Sequence, residues 1–311
     1  MTVYNGNGAY CYANSASMLL STIGEDISPS LIEVLTGFAL GASIEVDHNL
    51  LFFDNCTSSP DKGINHAFEI LGFKVIEKVY KDGESIPLNE LKDNLTRSPV
   101  MLGPLDMGYL TYNPNHYYLG GSDHYALAID FNDKEILLHD PAGFPFVWLP
   151  FEQLELAWKA EKITWSIGSF RSWVSPIRVS NPTSEEIYET AIQLFKASYH
   201  DQNNFAVKEK RLVGKEAIRL KATQIKGGNI SNGEIGHFIH FALPLGARRA
   251  LDYSIFFKGR NEQLSLLKDK QAQLFGKCQS FAVSKRWDEV AQTLELLMDV
   301  ESDIESAILF N

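Results

Sequence analysis

The sequence predicts an α+β first half followed by an all-α second half, and three observations carry that expectation. Apolar residues recur at helical spacing near the start and stop at a glycine. Short β-branched runs separated by turn residues fill the stretch up to about residue 170. Beyond a Ser/Asn/Pro-rich stretch near residue 180, the pattern is helical almost to the last residue.

Taken in order, Ala13, Ala16, Leu19, Leu20 and Ile23 repeat at i, i+3, i+6, i+7 and i+10, so a helix is expected over 12–23 with Gly24 as its stop. Cys11 then stands at its first turn. Ser28-Pro29 starts a second helix, residues 65–71 form another, and 73–79 are a strand, as are 99–102. The stretches Asp123 to Asp130 and Ile136 to Leu138, separated by Asn132-Asp133, read as two strands of a hairpin. His124 lies on the first strand and Asp140 at the end of the second. Pro150 opens a helix through Ala157, and Ile163 to Phe170 alternates as a further strand. Thr183-Ser184-Glu185-Glu186 matches a capping box ahead of Ile187, Ala191, Leu194 and Phe195. Leu264, Leu267, Leu274, Val290, Leu294, Leu297, Ile304 and Ile308 extend that period. The expected domains are 1–178 and 183–311.

Composition narrows the function classes. With 28 Lys+Arg against 39 Asp+Glu, the 311 residues carry a formal charge of −11, and no basic block offers a surface for nucleic acid or anionic lipid. No uncharged apolar run reaches the ~20 residues of a membrane span. The first 24 residues hold no Lys or Arg, so a secretory signal is not expected and the cytoplasm is the expected location. Three widely spaced cysteines, Cys11, Cys56 and Cys278, make neither a disulfide framework nor a zinc pattern. No metal or other cofactor is expected.

A thiol becomes a useful nucleophile when a helix N-terminus and a neighbouring imidazolium favour its ionised form. Cys11 has the first feature, and His124 with Asp140 could supply an imidazole and the group that orients it. Cys56 and Cys278 lack such company and read as small buried hydrophobes. His124 alone could be a core histidine and Asp140 a turn residue ahead of Pro141, so the argument rests on the three together. His237-x-x-His240 lacks the glutamate of a zinc-protease helix, and Gly6/Gly8 lack the Gly-Lys-Ser/Thr of a phosphate loop. Arg248-Arg249 reads as ordinary helix pairing, Arg248 with Asp252, or as an anchor for an anionic substrate group.

The stretches Asn5-Gly6-Asn7-Gly8-Ala9-Tyr10-Cys11-Tyr12-Ala13-Asn14-Ser15, Asp123-His124-Tyr125-Ala126-Leu127 and His139-Asp140-Pro141-Ala142-Gly143 resemble the papain-like cysteine enzymes. The likeness is greatest to the compact branch with the bacteriocin-leader peptidases and the butirosin-type acyltransferases. It covers about the first 170 residues in scattered motifs, and the two-part layout is more like the acyltransferases. The resemblance implies a papain-like core with the N-terminal helix packed on an antiparallel sheet. Carried over by position, Cys11 is the nucleophile, His124 the general base and acid, and Asp140 the orienting group. Asn5 takes the oxyanion-donor place where the family commonly has Gln, with Asn7 as a rival.

The first reading of function is therefore acyl transfer through a Cys11 thioester, from an acyl carrier protein or other thioester donor to a small amine-bearing acceptor. A cysteine peptidase or amidase of narrow specificity is the alternative. A catalytically silent binding module is the third.

Overall fold

The computed structural model describes residues 3–6, 9–45, 49–209 and 211–310. In chain order the elements are α1 (Cys11–Ser21), α2 (Pro29–Leu35), β1 (Ser43–Glu45), β2 (Leu50–Phe52), α3 (Pro60–Ile70), β3 (Phe73–Tyr80), α4 (Leu88–Leu95), β4 (Val100–Asp106), β5 (Asp123–Phe131), β6 (Glu135–Asp140), β7 (Phe144–Pro150), α5 (Phe151–Lys159) and β8 (Ser169–Arg178). Among the described residues six α-helices follow, with a π-helical stretch, Phe238–Ala242, between the third and fourth: α6 (Ser184–Glu209), α7 (Gly214–Lys226), α8 (Asn232–His237), α9 (Leu243–Phe257), α10 (Glu262–Val283) and α11 (Trp287–Phe310). The chain divides into two compact units, Met1–Ile32 with Ala67–Pro182, and Glu33–His66 with Thr183–Asn311.

The first unit is an α+β structure built on a six-stranded sheet in the order β3-β8-β4-β5-β6-β7, with every neighbouring pair antiparallel. Asn132 makes the β5–β6 hairpin: its Oδ1 accepts from the N–H groups of Lys134 and Glu135, both at 2.8 Å. Alternate residues of the strands, among them Val100, Leu102, Ala126, Ala128, Ile136 and Leu138, build one core with Leu154, Ala157 and Trp158 of α5. α1 packs on β4 and β5. It is buried on nearly every side, from Tyr12 to Leu20, which explains its mostly small and apolar sequence.

The expected strand over 163–170 starts instead at Ser169 and runs to Arg178. Gly168 adopts φ +79° at a point where a Cβ would fall 2.7 Å from the Tyr80 carbonyl oxygen. The chain turns before that glycine and becomes extended only after it.

The second unit is helical apart from the β1–β2 hairpin. α9 packs on α10, α10 on α11, and α11 on α6 and α7. Thr183 and Glu186 form the expected reciprocal cap: the Thr183 N–H donates to Glu186 Oε2 at 2.7 Å, and the Glu186 N–H to Thr183 Oγ1 at 3.2 Å. Residues 33–66, expected within a 1–178 domain, belong to this helical unit. Buried Glu33 pairs with Arg249 Nε at 2.8 Å. The Tyr253 hydroxyl donates to the Val34 carbonyl at 3.1 Å, and Asn55 Nδ2 to the Ser198 carbonyl at 2.8 Å. Phe53 meets Phe275 edge to face at 4.5 Å. Among the described residues no helix is long and apolar enough to cross a membrane.

Candidate active site

Cys11 is the first residue of α1 and is partly exposed. Its predecessor Tyr10 is buried and left-handed, φ 55° and ψ 53°. A bulky residue rarely adopts that conformation, and such strain costs on the order of 1–3 kcal/mol. Asn14, wholly buried one turn further along α1, offsets the cost. Its Nδ2 donates to the carbonyls of Ala9 at 2.5 Å and Tyr10 at 3.0 Å, and its N–H donates to Tyr10 at 2.9 Å. The helix start that carries the thiol is therefore clamped from within the helix.

His124 is the second residue of β5 and Asp140 the last of β6, at the same end of neighbouring strands. Their side chains meet: His124 Nε2 lies 2.7 Å from Asp140 Oδ1, with His124 4% exposed and Asp140 fully buried. Nε2 being engaged, Nδ1 is the ring nitrogen left to face Cys11, which lies close enough to raise the imidazole. Burial alone would strip the imidazole of its proton. The Asp140 charge, then Cys11, and the hydrogen bonds to both outweigh it and hold the imidazole well above its usual range.

Asp140 shows the converse balance. Burial pushes its carboxyl up, but the His124 charge and hydrogen bonds from His124, Tyr112 and the Ala142 N–H bring it below the ordinary carboxylate value. Tyr112 donates to Oδ2 at 2.6 Å, and the Ala142 N–H to Oδ1 at 2.6 Å. The Tyr4 hydroxyl donates to the Asp140 backbone oxygen at 2.8 Å. His139, next in sequence, takes no part: burial lowers its imidazole, and its Nδ1 accepts the Phe146 N–H at 3.3 Å.

Asn5 is not brought to this group. Its Nδ2 donates to Ser17 Oγ at 2.9 Å, six residues and roughly 9 Å along the helix axis from Cys11 at 1.5 Å per residue. The expected oxyanion amide thus ties the N-terminal segment to the middle of α1. Asn7 lies outside the described residues.

The other cysteines have no comparable setting. Burial pushes the Cys56 thiol up, only partly opposed by Arg211. It pushes fully buried Cys278 up to about 12. Arg249, weighed as an anion anchor, is buried on Glu33 and over the Phe38 ring. His237 Nε2 sits 2.9 Å from the Leu51 carbonyl oxygen, against the rings of Phe52 and Phe241. Among the described residues no three potential metal ligands cluster.

Sequence reasoning did not single out Tyr10, Asn14, Tyr112 or Tyr4. Asn14 left a readable trace, since asparagine is disfavoured inside a helix unless its side chain bonds to nearby backbone. Tyr112, in a polar loop 28 residues from Asp140, left none.

An α+β unit that carries a helix-borne thiol together with an imidazole and a carboxylate, followed in the same chain by a helical unit, defines the class of protein. The chain belongs to the YobF family. It is 44% identical to the protein YobF of Bacillus subtilis (strain 168) over 309 residues, 99% of each chain. Residues 208–309 match the family described as the YobF C-terminal domain. A crystal structure from Bacillus anthracis, described as a C39-like peptidase, aligns with a TM-score of 0.37 at 15% identity, over 56% of this chain and 94% of that one.

Proposed function

We propose that the protein carries out acyl chemistry through a thioester on Cys11, and that its acceptor is a small amine. The observation that carries this reading is the buried His124–Asp140 pair, 2.7 Å between Nε2 and Oδ1, beside the Cys11 thiol, whose charge and that of Asp140 raise the imidazole. In the reaction, Cys11 Sγ as thiolate attacks the acyl carbonyl and forms the C–S bond while the carbonyl electrons move onto oxygen. The Cys11 backbone N–H, at the first residue of the helix, is the donor proposed for that oxygen. Collapse expels the leaving group, which takes the His124 proton. His124, now neutral, accepts a proton from the incoming amine as that amine attacks the thioester, and Cys11 leaves as thiolate.

The preference for an amine over water rests on burial. With His124 and Asp140 almost wholly covered, bulk water has little access to the general base, which an acyl-enzyme awaiting a second substrate requires. A thioester, carrier-bound or small, is the proposed donor.

Intact mass spectrometry of the full chain after incubation with an S-acyl N-acetylcysteamine, and separately with peptides, tests the proposal. The expected result is an acyl adduct on Cys11, absent in Cys11→Ala, that small primary amines discharge faster than buffer does. Peptide cleavage without a thioester adduct would replace transfer by hydrolysis. An undiminished acylation rate in His124→Ala would overturn the whole scheme.

A further inference from the structure

The loop between β4 and β5, residues 107–122, is pinned at both ends by one buried carboxylate. Asp106 Oδ1 accepts from the N–H groups of Gly108 at 2.8 Å and Gly121 at 2.9 Å. The Met107 N–H donates to the Ser122 carbonyl at 3.0 Å, His116 Nδ1 lies 2.9 Å from the Gly108 carbonyl oxygen, and Leu110 is fully buried. From this loop Tyr112 lays its ring edge-on to Phe144 at 5.8 Å and donates its hydroxyl to Asp140 Oδ2 at 2.6 Å.

We propose that Tyr112 is a positioning residue for the reaction, fixing the Asp140 carboxylate so that Oδ1 stays on His124 Nε2. This inference rests on the reading of Cys11, His124 and Asp140 as the reacting unit.

The physical reason lies in how the two carboxylate oxygens are satisfied. Oδ1 takes two donors, His124 Nε2 and the Ala142 N–H. Tyr112 is the donor on Oδ2 among the described residues. At a fully buried carboxylate, an anionic oxygen stripped of its donor is costly, and the carboxyl escapes that cost by taking a proton or by turning. Either outcome removes the charge that keeps His124 protonated, and the thiolate–imidazolium pair collapses to its neutral form. The titratable groups facing Asp140 are His124 from β5, Tyr112 from the loop and Tyr4 from the N-terminal segment, with Cys11 beyond His124. Tyr4 reaches only the backbone oxygen. Tyr112 is thus the group that tunes Oδ2.

The experiment is the pH dependence of iodoacetamide alkylation of Cys11 in the full chain, followed by mass spectrometry between pH 4 and 9. In Tyr112→Phe the acid limb moves to higher pH, and at the foot of that limb alkylation falls about tenfold or more, the worth of a hydrogen bond to a charged group. Tyr80→Phe, which removes a hydroxyl bonded to Glu90 in the same unit, leaves the limb in place. In an Asp140→Asn background, Tyr112→Phe causes no further shift. Replacing Tyr112 with 3-fluorotyrosine keeps the fold contacts and strengthens the donor, so the limb moves to lower pH. This keeps the test decisive even if Tyr112→Phe folds poorly. Superimposable profiles for wild type, Tyr112→Phe and the fluorotyrosine protein, with Cys11 still labelled and His124→Ala still altering the profile, overturn the role of Tyr112 alone. A wild-type profile indifferent to His124→Ala instead removes the reading beneath it.

Discussion

Replacing Asp140 by Asn keeps the shape of the side chain and removes its charge, so it isolates what the carboxylate does for His124. In the native structure a buried oxygen 2.7 Å from a buried ring nitrogen offsets the burial that would otherwise deprotonate the imidazole. A hydrogen bond to a charged group is worth about 1.5–3 kcal/mol, or roughly ten- to a hundredfold in the population of the charged pair. A raised imidazole is fully protonated below its ordinary value and loses its proton as pH rises through the folded value. Without the carboxylate that loss comes earlier, and near pH 7 the imidazolium proposed to assist ionisation of Cys11 is depleted. Alkylation of Cys11 by iodoacetamide at pH 7 should therefore slow by about ten- to a hundredfold in Asp140→Asn. The gap should close toward pH 10, where an ordinary thiol, ionising near ~8.5, needs no help. An equal rate at pH 7, or a deficit that persists undiminished at pH 10, would refute the argument.

Further outcomes follow from the same geometry. Substoichiometric alkylation of the native chain should mark Cys11 first and Cys56 more slowly, with Cys278, pushed up to about 12, labelled only after unfolding; early labelling of Cys278 contradicts the assignment. Arg249→Ala should cost about 3–5 kcal/mol in denaturant unfolding by leaving Glu33 charged and buried, while the pair Glu33→Gln with Arg249→Met recovers most of it. A loss below about 1 kcal/mol in the single variant would deny the pair its structural role. Asn14→Ala, which removes the two side-chain bonds to the Ala9 and Tyr10 carbonyls, should cost about 1–3 kcal/mol of stability and slow Cys11 alkylation as well; a stability loss with unchanged alkylation would mean that Tyr10 keeps its conformation unaided.

Legibility in the sequence followed the range of the interactions. α1 was readable from Ala13, Ala16, Leu19 and Leu20 because the helix is continuously buried; it ends at Ser21, two residues short of the expected Ile23, and Gly24, at φ +82°, lies in the turn that follows. The β5–β6 hairpin and the cap at Thr183 were readable because one side chain organises each within three residues. The allegiance of 33–66 to the helical unit was not readable. Its partners Arg249, Tyr253 and Ser198 lie 216, 219 and 143 residues away, and no local pattern records them. Asn5 is a related case: the resemblance implied a place for it near the thiol, but the direction of its side chain depends on the serine it meets at position 17.

The positions of the three central side chains arise from two different physical sources, and this bears on how the site tolerates change. Cys11 is aimed by local backbone strain at Tyr10, held by Asn14 from the next turn of the same helix. His124 and Asp140 are aimed by sheet register, with Leu127 opposite His139 and Ala128 opposite Leu138. Because side chains alternate between faces, a one-residue slip of β6 would carry Asp140 to the opposite face and bring His139 in its place. The buried alternation of Ile136 and Leu138 on the core face opposes such a slip, since it would exchange these two core residues for Glu135 and Leu137. Substitutions that loosen the packing of β6 should therefore damage the imidazole–carboxylate pair while leaving the thiol at its helix start. Changes at Ala9, Tyr10 or Asn14 should displace the thiol and leave the pair intact. The pinned loop that carries Tyr112 joins neither source. It reaches the carboxylate from outside the strand pairing, and its hydroxyl bonds the oxygen that the ladder does not control.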